Sequence, residues 1–395
     1  MNWDLILLIV FYLILYTIFR KYRNKFEVQS KIFVLYKTKL GLNIMDKIAK
    51  KFPRFLNFLA YVSIFIGFLG MIFTVIFLAR GALSFLGRNP TPQVAPILPG
   101  INVDGLPKLS FWHWIIGILF AAVFHEFMHG VYSRLNNIKI KSSGFAFLGP
   151  ILAAFVEPDE KQLEKKSTRA QLSVLSAGPF TNIVLGLILF VVILFVIAPL
   201  GNNVTSIQGI QIGILNESFP ISSSGISNGA IISEIDHVKM DSTEKISAVL
   251  SDKKPGDIVG VVADGNNYNI QLGANPTNLE KAFLGITISK YKTTPKYDGR
   301  FFKIVYNVFG WFSLLFFWLF NINVGIGLFN LLPLGPVDGG RMFYAVVKHF
   351  VKDKIKSIRI LNYVSMFILF LILVNMWPFI VKLFSFIFGP ILTLF

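Results

Sequence analysis

The chain of 395 residues contains no cysteine. Disulfides, thiolate ligands and iron–sulfur clusters are therefore excluded, and any bound metal must be held by histidine and carboxylate. Charge is also scarce. Charged residues make up 15% of the chain, against about 25% in a soluble protein. The deficit is filled by hydrophobic residues, at 54%, including 41 phenylalanines. They fall in runs long enough to span a bilayer, which makes the chain a multi-pass membrane protein. Acids are fewer than bases, 21 against 38, leaving a net charge of +17. In a membrane protein that excess reads as basic cytoplasmic loops beside anionic lipid rather than as a nucleic-acid surface.

Histidine is rare too, with five in the chain. Two of them fall in Phe124-His125-Glu126-Phe127-Met128-His129-Gly130, near the end of an apolar run. On a helix, His125 and His129 project from one face. That spacing lets two imidazoles share a zinc ion and puts Glu126 beside it as a base. Ionisable groups in a membrane segment are expensive and point to a role. The other histidines read as bystanders: His113, in Trp112-His-Trp114, as interfacial, and His237 and His349 as exposed.

Six apolar spans are expected. The first, Leu5 to Phe19, is followed by Arg20, Lys21, Arg23 and Lys25 and reads as an uncleaved anchor. Residues 20–54 are dense in Lys and Arg and read as a cytoplasmic loop, which places the N-terminus outside. Phe55 to Leu83 is the second span. Residues 84–110 carry Pro90, Pro92, Pro96, Pro99 and Pro107 and read as a loop or interfacial segment. Phe111 to Tyr132 is the third span and brings His125 and His129 to its cytoplasmic end. In the basic loop that follows, Gly144 to Val156 is apolar but interrupted by glycine and proline. It is too short to span, and reads as a hairpin dipping into the membrane face or as an interfacial loop. Leu172 to Leu200 is the fourth span and contains Pro179 and Asn182.

Residues 203–292 change to short alternating runs and turns, a small soluble α/β domain with one helix near Thr243 to Ser251. Alternation of the spans places it outside the cytoplasm. Phe302 to Leu332 is the fifth span and ends in Asn330-Leu-Leu-Pro333-Leu-Gly-Pro336-Val-Asp338-Gly339-Gly340. The prolines should break the helix there. Residues 360–395 hold an outward span to about Leu373, then Pro378 and a run read as a bent continuation or a surface helix.

The Lys/Arg asymmetry puts His125, His129 and Asp338 at the same cytoplasmic depth, although 338 − 129 = 209 residues separate the last two. Two histidines and one carboxylate, with water in the fourth position, complete a catalytic zinc sphere. Asp338 has a second reading, as a helix N-cap.

His125-Glu126-x-x-His129 followed by Asn330-x-x-Pro333-x-x-x-x-Asp338-Gly339 resembles the site-2 protease family of intramembrane zinc metalloproteases, over residues 111–355. The resemblance implies one zinc per chain on His125, His129 and Asp338, with Glu126 as catalytic base. It implies cleavage of transmembrane segments of membrane proteins already trimmed by another protease. Gly178-Pro179-x-x-Asn182 resembles a family element near the substrate, and the Gly144 segment resembles its membrane-dipping β-loop. Gly144, Phe145, Asn182 and Asn330 are accordingly candidate substrate-binding residues. Residues 221–275 look like the PDZ domain inserted in many members.

The organisation expected is an N-terminal region (1–110), a first part of the catalytic core (111–200), a PDZ-like domain (203–292), a second part of the core (302–358) and a C-terminal membrane segment (359–395). The rivals are a membrane metalloprotease taking a distant Glu as third ligand, and a transporter, receptor or scaffold with a metal site. Transport needs polar residues through several spans, and the outer half of the third span is apolar.

Overall fold

A computed structural model describes residues 3–23, 26–29, 33–87, 94–99, 103, 106–148, 151–214, 219–276 and 278–392. The expected features at Lys25, Pro90, Pro92 and Pro150 lie outside the described residues. The chain divides into two compact units, one formed by Met1–Ile193 with Leu314–Phe395, the other by Leu194–Ser313.

The first unit opens with helix α1 (Trp3–Lys21), then strands β1 (Phe26–Gln29) and β2 (Phe33–Thr38), and helices α2 (Leu42–Lys51) and α3 (Pro53–Ser84). Helix α4 (Phe111–Leu135) carries the zinc motif. It is followed by strands β3 (Ile140–Leu148) and β4 (Ile151–Pro158), the short α5 (Glu160–Glu164) and α6 (Thr168–Val192). Helix α6 continues through a π-helical turn (Ile193–Ile197) into α7 (Ala198–Val204). Among the described residues, five helices are long and apolar enough to cross a membrane: Pro53–Ser84, Phe111–Leu135, Thr168–Val204, Arg300–Asn330 and Lys354–Lys382. The expected first span coincides with the 19-residue α1.

These helices are tied by polar groups that would otherwise go unpaired in an apolar medium. Ser63 Oγ on α3 meets Ser176 Oγ on α6 at 2.9 Å. Tyr132 Oη on α4 donates to the Leu56 carbonyl at 3.2 Å. Leu42, Met45, Leu56, Ala60, Val131 and Tyr132 form one buried cluster that seats the end of the motif helix on α2 and α3.

The Gly144 segment is a hairpin, β3 and β4, in register Ser143 to Val156 and Phe145 to Ala154. It is half of a larger sheet. Residues 26–29 and 33–38, within the stretch expected to be a basic cytoplasmic loop, form β1 and β2, and β2 pairs antiparallel with β3, Tyr36 opposite Phe145. The order β1-β2-β3-β4 leaves β4 at an edge. Phe26-Glu-Val-Gln alternates and Phe33-Val-Leu-Tyr is a short apolar run, both strand patterns; β1 pairs with β2, and β2 gains a partner 105 to 115 residues away.

The second unit contains strands β5 (Thr205–Ile214), β6 (Ile231–Ile235) and β7 (Val238–Lys239), then helix α8 (Thr243–Ser251) and strands β8 (Ile258–Ala263) and β9 (Asn266–Gln271). They are followed by β10 (Gly273–Asn275), β11 (Asn278–Phe283) and β12 (Ile286–Pro295). The main sheet runs β12-β5-β6-β8-β9, with β7 on β6 and a separate β10-β11 pair. Its core is aliphatic, built on Ile210, Ile212, Ile232, Ile235, Val259 and Val261.

Helix α9 (Arg300–Asn330) returns to the first unit, followed by α10 (Asp338–Val351) and α11 (Lys354–Leu392). As the prolines require, α9 stops before Pro333 and a new helix starts at Asp338. Pro378 sits inside α11, so the C-terminal run is a continuation of one helix.

Candidate metal centre

Helix α4 is started by Ser110, whose side chain accepts from the backbone N–H of His113. His113 is 2% exposed, and its Nδ1 lies 2.5 Å from Ser110 Oγ. This histidine is packed into the helix start. His237 and His349 are exposed, as expected.

His125 and His129 face one way, with ring centroids 4.7 Å apart, as the four-residue spacing dictates. Helix α6 lies against them at Gly178. A Cβ at that position would stand 2.5 Å from His129 Nε2 and 2.6 Å from His125 Nε2, so the two rings occupy the space a side chain would fill. Asp338 arrives on the first turn of α10. Gly339 and Gly340 permit that approach, because a Cβ on either would overlap the backbone of Leu331 or Leu334. The loop between Pro333 and Pro336 therefore folds directly onto the helix start.

The result is a convergence of three atoms. Asp338 Oδ2 lies 3.0 Å from His125 Nε2 and 3.2 Å from His129 Nε2. His129 Nδ1 is 2.7 Å from the Val174 carbonyl, which can only accept, so Nδ1 carries the hydrogen and a neutral ring keeps its lone pair on Nε2. A carboxylate and imidazole lone pairs facing one another need a shared cation. Zinc bonds of about 2.0–2.2 Å in a tetrahedron place ligand atoms roughly 3.3 Å apart, close to the separations seen here. The donor set fits zinc.

Glu126 shares the neighbourhood: its carboxylate and both imidazoles offer atoms within 4.8 Å of one another. Its Oε2, however, accepts a hydrogen bond from the Val156 amide of β4 at 2.9 Å. Asp338 is thus the carboxylate set between the rings, while Glu126 is held beside them by the sheet.

These groups line a cavity of about 520 Å³, together with Asn330, Phe155, Lys37 and Arg341. The rim is charged and internally paired, Arg341 with Glu160 at 2.6 Å and Lys37 with Glu27 at 2.7 Å. Lys37, Arg341 and Val156 had no local signal in the sequence, since each reaches the cavity through long-range packing.

The remaining candidates separate. Asn330 lines the cavity and its Nδ2 donates to the Ile326 carbonyl. Asn182 is fully buried and meets His125 Nδ1 at 3.2 Å. Gly144 and Phe145 sit on β3, paired with β2 on one side and β4 on the other. Strand β3 therefore offers no free edge at these two residues. The edge strand beside the cavity is β4.

An uncharacterized protein of Methanocaldococcus jannaschii is 28% identical over 352 residues, covering 86% of this chain and 84% of that protein. Zinc metalloprotease RasP of Shouchella clausii is 22% identical over 280 residues, covering 59% of this chain and 65% of that protein. Among solved structures, the PDZ domain of an SdrC-like protein of Listeria monocytogenes aligns with 21% of this chain and 90% of its own at 22% identity, with a TM-score of 0.19. The model of peptidase family M50 matches residues 113–374, which is 262 of 395 residues and includes every member of the His–Glu–His cluster and Asp338. With five apolar helices around that buried cluster, the chain belongs to peptidase family M50 and is an intramembrane zinc metalloendopeptidase of the site-2 protease type.

Proposed function

We propose that the enzyme holds one zinc ion on His125, His129 and Asp338 and uses Glu126 as general base to cleave transmembrane segments of membrane proteins. The observation that carries this reading is the placement of Asp338 Oδ2 within 3.2 Å of both Nε2 atoms. A zinc ion there supplies Lewis-acid chemistry, polarising the peptide carbonyl and making water a nucleophile at neutral pH. Glu126 takes the proton from the attacking water and returns it to the leaving amine. Its hydrogen bond to Val156 fixes the carboxylate's position relative to β4.

A membrane helix hides its amides in its own hydrogen bonds and must unwind before it is cut. The edge of β4 replaces the lost bonds by strand addition. Val156 points its N–H away from β3, toward Glu126. In an antiparallel ladder this outward direction repeats every second residue, so Ala154 and Leu152 present the amides that pair with substrate. Pro158 falls in the same alternation and has no N–H to offer.

The Lys/Arg-rich loops assign the metal centre to the cytoplasmic side, α1 to a sixth crossing, and residues 203–292 to an extracytoplasmic PDZ-like domain that restricts entry or binds a newly made C-terminus. Substrates arrive pre-trimmed by another protease, within the lipid bilayer. The test is an assay of the purified protein on a model membrane-helix substrate, with and without chelator, alongside metal analysis. Cleavage that needs stoichiometric zinc supports the reading, and cleavage by metal-free protein contradicts it.

A further inference from the structure

Asn182 lies on α6 with no exposed surface, and its amide faces Nδ1 of His125. As oriented, the facing atom is Nδ2, a donor, while Oδ1 is buried without a hydrogen-bond partner. The metal reading requires the His125 lone pair on Nε2, the atom 3.0 Å from Asp338. A neutral imidazole with its lone pair on Nε2 carries its hydrogen on Nδ1. Two donors would then confront each other across 3.2 Å.

Amide oxygen and nitrogen are assigned by their hydrogen bonds, not by shape. Turning the Asn182 amide over places Oδ1 against the His125 Nδ1–H, converting a repulsive pair into a hydrogen bond and giving the orphaned oxygen its partner. The NH₂ half then takes the place that Oδ1 held.

His129 provides the parallel. Its Nδ1 meets the Val174 carbonyl at 2.7 Å, also from α6. The positions are 182 − 174 = 8 residues apart on one helix. We infer that Asn182 is a positioning residue for the metal: its amide oxygen accepts the Nδ1–H of His125 and fixes the ring so that Nε2 faces the zinc. Helix α6 thus sets both ligand tautomers, once with a backbone carbonyl and once with a side chain. Outer partners of this kind typically change metal affinity by about 10–100-fold. The sequence reading gave Asn182 to the substrate; here its full burial against the ligand ring gives it to the metal.

The inference rests on the assignment of His125 as a zinc ligand, and the two are separable. Zinc affinity of the full-length protein in detergent is measured by chelator competition for wild type, Asn182→Leu, Asn182→Asp and His125→Ala. Asn182→Leu should weaken zinc by about 10–100-fold. Asn182→Asp, which can only accept, should bind at least as tightly as wild type. Wild-type affinity in Asn182→Leu, or an Asp variant as weak as the Leu variant, overturns the inference. Unchanged affinity in His125→Ala overturns the ligand assignment beneath it. Should Asn182→Leu fail to fold, ¹⁵N NMR of the wild-type zinc protein decides: His125 Nδ1 must carry the hydrogen, and a bare Nδ1 contradicts the assignment.

Discussion

Val156 donates its backbone amide to Glu126 Oε2 across 2.9 Å. An edge strand of the four-stranded sheet and the carboxylate of the zinc motif are therefore one hydrogen-bonded unit.

Glu126→Gln should abolish cleavage while zinc stays bound. General-base removal costs about 10²–10⁴-fold in rate, and the uncharged amide still accepts from Val156. Single-turnover cleavage and metal content of the same preparation check this. Retained activity would remove Glu126 from the mechanism.

Proline scanning of β4 distinguishes its two edges. Ala154→Pro removes an outward amide from an edge strand, where proline is tolerated. It should leave the fold intact and lower kcat/KM about 3–10-fold, one net hydrogen bond of roughly 0.5–1.5 kcal/mol. Ala153→Pro removes a bond to β3, so it should destabilise the sheet instead. Equal kcat/KM for Ala154→Pro and wild type would make β4 a passive wall.

Gly178→Ala and Gly186→Ala form a matched pair on α6. A Cβ at position 178 would stand 2.5 Å from His129 Nε2, whereas one at 186 would stand 2.6 Å from Val324 Cγ2. Both overpack, at a cost of about 1–3 kcal/mol, but only Gly178→Ala should lose zinc. Thermal unfolding and metal analysis of the two variants test this; equal zinc in both would separate Gly178 from the metal centre.

Much of this arrangement was legible in the chain. The four-residue spacing of His125 and His129, the prolines that end α9 before Asp338, and the short apolar run broken by glycine and proline at the hairpin are local signals, and each yields the observed element. What was not legible depends on distant pairing. Strands β1 and β2 lie in a Lys/Arg-rich stretch whose charge suggested a cytoplasmic loop, and they enter the sheet through the pairing of β2 with β3. That union pairs Gly144 and Phe145 on both sides and leaves β4 as the edge strand beside the cavity. Asn182 reads as a polar residue in a span, and only packing of α6 on α4 shows the ring it faces. The burial of His113 beside the helix cap at Ser110 likewise comes from packing that the local sequence does not show.

Titration should affect the second unit through Asp236. Its hydrogen bond to Lys253, helped by the Gly260 N–H, holds its carboxyl below the ordinary carboxylate range despite partial desolvation. A group depressed in the folded state stabilises above its unfolded pKa of about 3.9 and loses that contribution as pH falls through the folded value. Asp236→Asn should therefore accelerate hydrogen exchange in β6 and β8 at neutral pH, and the difference from wild type should shrink in strong acid. A difference independent of pH would assign the effect to packing rather than charge.

The most direct test of the central claim is zinc content of the purified protein compared across wild type, Glu126→Gln and Asp338→Ala. The account predicts about one zinc per chain in the first two and a large loss in the third, because Asp338 is the ligand that closes the sphere around two histidines. Full zinc in Asp338→Ala with loss in Glu126→Gln would exchange the two carboxylates' roles and contradict the account.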